Sequence, residues 1–171
     1  SGVRGPVSIP LDLAVEQDPL AHGGTLRLFG EDGRNQSLEV GVDAAPNCSP
    51  VPIELAVAPI VSGDSVFALG RDGALWQLGK GFPKTVEQAR PGALALLPAA
   101  QLPAVLYPDK LRLPSGAEVA LPFRVEGGAS VEGGWWVRSG VSSALLKPGG
   151  EVAWQWESKD LHPLCAVVAG K

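Results

Sequence analysis

A long helix is the one thing this chain is poorly equipped to build. Glycine (22) and proline (16) make up about a fifth of its 171 residues, scattered in no strict period. Proline removes a backbone donor and clashes inside a helix, while glycine weakens helix and strand interiors. Such punctuation suits many short strands joined by turns. With 45% hydrophobic and 19% charged residues the chain is globular rather than disordered. Its length suits a single all-β domain over 1–171 with a real core.

The clearest unit is Val66–Gly79, VFALGRDGALWQLG. Val, Phe, Leu and Trp fit a pleated, half-buried surface, so Val66–Leu69 and Ala74–Leu78 read as a hairpin. Asp72-Gly73 predicts a two-residue type I′ turn. Similar runs recur. Val7–Val15 alternates with period two, although Pro10 places it at an edge or bulge. Thr25–Phe29 and Ser37–Val42 read as a hairpin about Glu31–Asn35, and His22-Gly23-Gly24 as loop. Ala44–Pro52 carries three prolines and Cys48, and a sub-boundary could fall there. Ile53–Ile60 follows as an apolar strand. Thr85-x-x-Gln88 could cap one helical turn ended by Pro91. Ala93–Leu97, Ala104–Tyr107, Lys110–Leu113 and Glu118–Phe123 are short strands between prolines. After the Gly-rich Glu126–Gly134 come Trp135–Arg138, Ser143–Leu146, Glu151–Trp156 and finally Leu164–Ala169.

Turn glycines recur at Gly33, Gly73, Gly116 and Gly150. Their loose period, near 40 with about four strands per unit, is that of a propeller blade. VFALGRDGALWQL (Val66–Leu78) resembles the strand–turn–strand core of quinoprotein-type (PQQ-like) β-propeller repeats, and LLKPGGEVAWQW (Leu145–Trp156) resembles a second copy. The resemblance implies propeller-like repeats. Strands spaced about 8–12 residues apart serve a β-sandwich equally, and both architectures stay open here.

A net charge of −4 and a pI of about 5.2 leave no basic surface for nucleic acid. No uncharged apolar run approaches the roughly 18 residues of a membrane span. With no methionine in the chain, Ser1 reads as the start of a mature or excised piece, compatible with a removed leader or anchor. Cys48 and Cys165, the two cysteines, are expected to pair if the compartment is oxidising. Closing so long a loop would stabilise the fold by about 4–5 kcal/mol.

Catalytic signatures are lacking. His22 and His162 have no G-x-S-x-G elbow to serve. His162-x-x-Cys165 has a usable zinc spacing, yet Cys48 and His22 stand far apart in the chain, unlike a tight local ligand pair. No metal or other cofactor is expected. Carboxylates such as Asp12, Glu16, Asp18, Glu31 and Asp32 are scattered, and no Gly-rich element ends in Gly-Lys-Ser/Thr. Two Asn-x-Ser sequons, at Asn35 and Asn47, would matter only in a eukaryotic secretory route. The Ala-, Gly-, Leu-, Pro- and Val-rich, Lys-poor composition reads as bacterial.

Four of the five tryptophans crowd into Trp135–Trp156. Adjacent Trp135 and Trp136 point to opposite faces of a strand, whereas Trp154 and Trp156 share one. An outward face would form an aromatic platform for a protein partner or a sugar ring. The reading expected is a non-enzymatic, extracytoplasmic interaction or assembly module of a cell-envelope, adhesion or pilus-type system. Trp135, Trp136, Trp154 and Trp156 are its candidate binding residues. The alternatives are a carbohydrate-binding module using the same tryptophans and a hydrolase with a carboxylate pair.

Overall fold

The computed structural model describes residues 19–30, 35–39, 47–49, 53–78 and 83–157. The chain divides into two compact units, Ser1–Glu54 and Leu55–Lys171. Every regular element among the described residues is a β-strand, and each strand pairs antiparallel with its neighbour in sequence.

The first unit holds one four-stranded meander: β1 (Leu20–His22), β2 (Thr25–Phe29), β3 (Asn35–Glu39) and β4 (Asn47–Ser49). The expected hairpin is present, with Thr25 opposite Glu39 and Phe29 opposite Asn35. His22, read as loop together with Gly23 and Gly24, instead ends the first strand. Gly23 and Gly24 both take positive φ and close it tightly onto β2. Leu28 and Phe29 are buried. The Val7–Val15 strand, the hairpin tip at 31–34, the Leu164–Ala169 strand and Cys165 lie outside the described residues, as does the Cys48 side chain.

The second unit holds three more meanders. The first is β5 (Ile60–Ser62), β6 (Ser65–Leu69), β7 (Ala74–Leu78) and β8 (Lys84–Gln88). The next is β9 (Ala95–Leu97), β10 (Ala104–Leu106), β11 (Lys110–Arg112) and β12 (Glu118–Ala120). The last is β13 (Gly127–Val131), β14 (Gly134–Ser139), β15 (Ser142–Leu146) and β16 (Val152–Glu157). Among the described residues no strand crosses between sheets, as strands do in a Greek-key sandwich. Among the described residues the sheets begin at Leu20, Ile60, Ala95 and Gly127, at intervals that shorten along the chain but stay close to one blade's length. These are propeller-like repeats, each a self-contained up-and-down sheet.

The repeat is real, but the glycines that pointed to it are not equivalent. Gly73 joins the second and third strands of its sheet, whereas Gly116 and Gly150 join third and fourth strands. What they share is turn geometry. In Gly70–Gly73, Leu113–Gly116 and Lys147–Gly150 the last residue donates its N–H to the carbonyl of the first, at 2.9, 2.9 and 2.8 Å. The closing glycines have φ of +86°, +84° and +88°, and no other described residue of these turns has positive φ. Each is therefore a type I turn closed by a left-handed glycine, not the type I′ turn expected at Asp72-Gly73. Arg71, Pro114 and Pro148 occupy the first central position, where a φ near −60° suits proline.

Three other local readings are corrected. Ile53–Ile60 is mostly irregular, with a single bridge from Leu55 to Gly70, and the strand starts only after Pro59. Thr85–Gln88 belongs to strand β8, because Thr85 and Val86 suit a ladder against β7 better than an isolated helical turn. The Gly-rich Glu126–Gly134, assigned no strand from its sequence, contains β13. A Cβ at Gly128 would sit 2.7 Å from the Trp136 carbonyl oxygen and 3.1 Å from Leu106 Cδ2, so glycine there lets the next sheet approach the strand.

The sheets of the second unit stack through two apolar clusters. Phe67, Leu69, Leu75 and Ala89 meet Leu96, Val105 and Tyr107 on one side of the middle sheet. Leu97, Ala104, Leu106, Leu111 and Val125 meet Trp135, Val137, Ala144 and Leu146 on its other side. Alternation explains the split. Leu96 and Val105 point one way, while Leu97, Ala104 and Leu106 point the other. Covered on both faces, β10 needs the uninterrupted run Ala-Val-Leu. The first strands lie side by side, with β9 next to both β5 and β13.

Polar ties fix the stacking. Ser62 Oγ donates to the Ala99 carbonyl (2.9 Å) and accepts from the Ala99 N–H (3.0 Å). Tyr107 Oη donates to the Arg90 carbonyl (3.1 Å) and accepts from its N–H (3.0 Å). Ser130 Oγ reaches the Pro98 carbonyl at 2.9 Å. Arg112 pairs with Glu87 and donates to the Gln88 carbonyl at 3.0 Å.

Candidate interaction surface

The final sheet has two unlike faces, and the register says which residues occupy each. Trp135 is opposite Leu146, and Val137 opposite Ala144. All four are buried against the middle sheet, Trp135 with 4% of its surface exposed. Trp136 is opposite Leu145, itself opposite Trp154. Arg138, Ser143 and Trp156 form the next row on the same, outer face. Trp135 and Trp136 thus separate between core and outer face, as alternation requires.

Of the four candidate tryptophans, Trp135 is core and has no accessible indole to offer a partner. Trp136 is half-buried. Trp154 and Trp156 are exposed, at 50% and 40%. Every residue of β16 is exposed, and among the described residues β16 pairs only with β15. Leu145 is half-buried beside these rings. Ser143 is buried, and its Oγ has no hydrogen-bond partner among the described residues. Sequence reasoning passed over Arg138, Ser143 and Leu145. Their period-two phase with Trp136 is the signal that places them on this face.

Elsewhere the charged groups act as structural ties. Lys110 Nζ lies 2.8 Å from Glu118 Oε2 and 5.4 Å from the centroid of the Tyr107 ring. The hydrogen bond from Lys110 holds the Glu118 carboxyl below the usual carboxylate range, with the charges of Lys110, Arg90 and Arg112 adding to it. Among the described residues no three His, Cys, Asp or Glu side chains come together as metal ligands. His22 ends β1, half-buried. His162 and the carboxylates Asp12, Glu16, Asp18, Glu31 and Asp32 lie outside the described residues.

Consecutive four-stranded meanders with stacked faces define an all-β, propeller-like protein. Solved structures share this fold. BBS1N, from a complex with ARL6DN, superimposes with a TM-score of 0.67 and 17% identity, over 90% of this chain and 57% of its own. BamB from Moraxella catarrhalis matches with a TM-score of 0.54 and 18% identity, over 79% of this chain and 50% of its own. PorZ of Porphyromonas gingivalis, described as an essential bacterial surface component of the type-IX secretion system, matches at 0.54 and 13%, over 86% and 22%. The chain therefore spans just over half, half and less than a quarter of these three. At such identities the likeness is one of fold. No family model matches the sequence, and no curated protein does.

Proposed function

We propose that this chain is a non-enzymatic interaction and assembly module acting outside the cytoplasm, in a cell-envelope, adhesion or pilus-type system. Its contact residues in this reading are Trp154 and Trp156. The observation that carries it is the exposure of these two indoles on one face of an outermost strand that is itself exposed throughout. An indole buries some ~150–250 Å² in a contact, and tryptophan is enriched among residues that dominate binding energy. Two such rings held in water by a folded sheet are costly unless something covers them. The location and partner class are supported by PorZ, a bacterial surface component of a secretion system, and by BBS1N, solved in complex with ARL6DN. The reading assigns no cofactor, so the resemblance to quinoprotein-type repeats is architectural only.

The test is made in the organism that produces the protein. With benzoylphenylalanine in place of Trp156, irradiation should crosslink the chain to a protein of an extracytoplasmic fraction. The double variant Trp154→Ala, Trp156→Ala should lose that partner while keeping its unfolding midpoint. Recovery of the chain in the cytoplasm, or a complex indifferent to the double variant, would refute the proposal.

A carbohydrate ligand is the second reading, favoured by one observation. Trp154 and Trp156 sit on one face two residues apart, about 6.6–6.8 Å along a strand, a spacing that lets neighbouring rings stack on an extended ligand. Oligosaccharide titration read by tryptophan fluorescence, repeated with Trp154→Ala, separates it from the first.

A further inference from the structure

A strand at the rim of a sheet offers unpaired N–H and C=O groups to any chain that can lie beside it, and folded proteins blunt such edges with short strands or charges. Two fourth strands of the second unit obey this. β12 has three residues and begins with Glu118, while β8 carries Lys84 and Glu87. β16 does neither. It runs for six residues, Val-Ala-Trp-Gln-Trp-Glu, with no charge before the last. Every one of them is exposed, and among the described residues the far edge of β16 pairs with nothing. Of the six large apolar side chains exposed among the described residues, Val152, Trp154 and Trp156 all stand on this strand. A bulge at the Leu145–Leu146 step confines its regular ladder to Trp154–Glu157.

The residues of that ladder decide what fits against it. When two copies of one strand pair antiparallel about a two-fold axis, one residue faces its own counterpart and its neighbours pair crosswise. Trp154-Gln155-Trp156 reads the same in both directions. A pair centred on Gln155 therefore sets Trp154 opposite the partner's Trp156, and Trp156 opposite the partner's Trp154. Directly opposite residues share a face, so all four indoles line the outer face that carries Trp136 and Leu145. Glu157 then falls opposite the partner's Ala153, with no like charge across from it. Neighbouring registers fit worse. Centring on Trp154 spans the bulge and brings Glu157 against the partner's Glu151, a destabilising pair of like charges. Centring on Trp156 sets Trp154 opposite a position past the end of the strand. We infer that the occupant of this edge is a second copy of the chain, joined through β16 in the Gln155-centred register into one eight-stranded sheet. Cross-strand aromatic pairs stabilise such a ladder, and its hydrogen bonds satisfy the open edge. Two part-covered indoles and a short ladder from each copy fall short of the ~1,200–2,000 Å² of a stable interface, so the dimer is concentration-dependent. The inference rests on the proposed function's reading of Trp154 and Trp156 as contact residues, and it names what they contact.

Sedimentation velocity of the purified full chain, with the native cysteines kept, tests it. The unsubstituted chain should shift from monomer to dimer as its concentration rises. Gln155→Glu sets two carboxylates face to face across the axis, and Gln155→Lys two ammonium groups, so each variant alone should lose the dimer. Gln155 is exposed, which leaves the fold of either variant intact. An equimolar mixture of the two should regain the dimer, because the introduced carboxylate then faces the introduced ammonium group. A monomer at every concentration, a dimer indifferent to both variants, or a mixture that stays monomeric overturns the inference. The proposed function fails separately: a chain that is monomeric when pure can still crosslink to another protein, and recovery in the cytoplasm would remove that function without dissolving a dimer.

Discussion

Gly73 shows how much one residue can fix. Its φ of +86° lies in the left-handed region, and an added Cβ would run into the Ala89 carbonyl oxygen. The Ala89 N–H donates to the Gly73 carbonyl at 2.6 Å, so the backbone cannot draw away without losing that bond. Gly73→Val should destabilise the fold by about 2 kcal/mol or more, combining left-handed strain with displacement of the Ala89 strand end. Gly149 has ordinary φ and open space around it, so Gly149→Ala should stay within about 0.5 kcal/mol. Urea unfolding of both variants checks the contrast. Glu118 offers a second test at this scale. Its folded-state carboxyl is held below the usual range by Lys110, so its small contribution to stability is present above the unfolded pKa and fades as pH falls through the folded one. Carboxyl-carbon NMR titration should place Glu118 below the usual carboxylate range, and Lys110→Met should raise it.

Among the elements, β10 is the most constrained. Ala104, Val105 and Leu106 are all buried because clusters form on both sides of the middle sheet. Leu106 is fully buried between β14, β15 and β11. Leu106→Ala should cost about 2–5 kcal/mol, the range for a large-to-small change in a packed core, and lower the thermal midpoint accordingly. On β12, whose residues are exposed or half-buried, Glu118→Gln should leave the thermal midpoint almost unchanged, because water screens an exposed ion pair. The ratio of the two effects tests the assignment of fourth strands as rims. If β12 substitutions cost as much as β10 substitutions, the stacking described here is wrong.

At the scale of the whole molecule, the expected covalent tie is the pair of cysteines. Pairing of Cys48 with Cys165 would join two segments distant in the sequence and add roughly 4–5 kcal/mol on the chain-entropy account. Thiol titration of the protein unfolded without reductant should find no free cysteine, and reduction should lower the unfolding midpoint by many degrees. Two free thiols would remove the disulfide and with it one support for an oxidising compartment.

The sequence by itself determined what depends on neighbours in the chain. Thr25–Phe29 and Ala74–Leu78 were legible as strands to the residue, because β-branched and aromatic residues between turn formers leave the backbone few alternatives. The separation of Trp135 from Trp136 followed from a period of two. Tertiary structure decided whatever depends on a second sheet. Glycine-rich Gly127–Val131 is a strand because β14 bonds to it and Leu106 needs the room at Gly128. Lys84–Gln88 is a strand because β7 offers it a ladder. The turn glycines looked periodic, yet only pairing shows that Gly73 and Gly116 join different strands of their repeats. Trp135 rather than Trp136 lies in the core because the middle sheet stands on that side. Alternation sets two faces apart, and only what packs against them tells inside from outside.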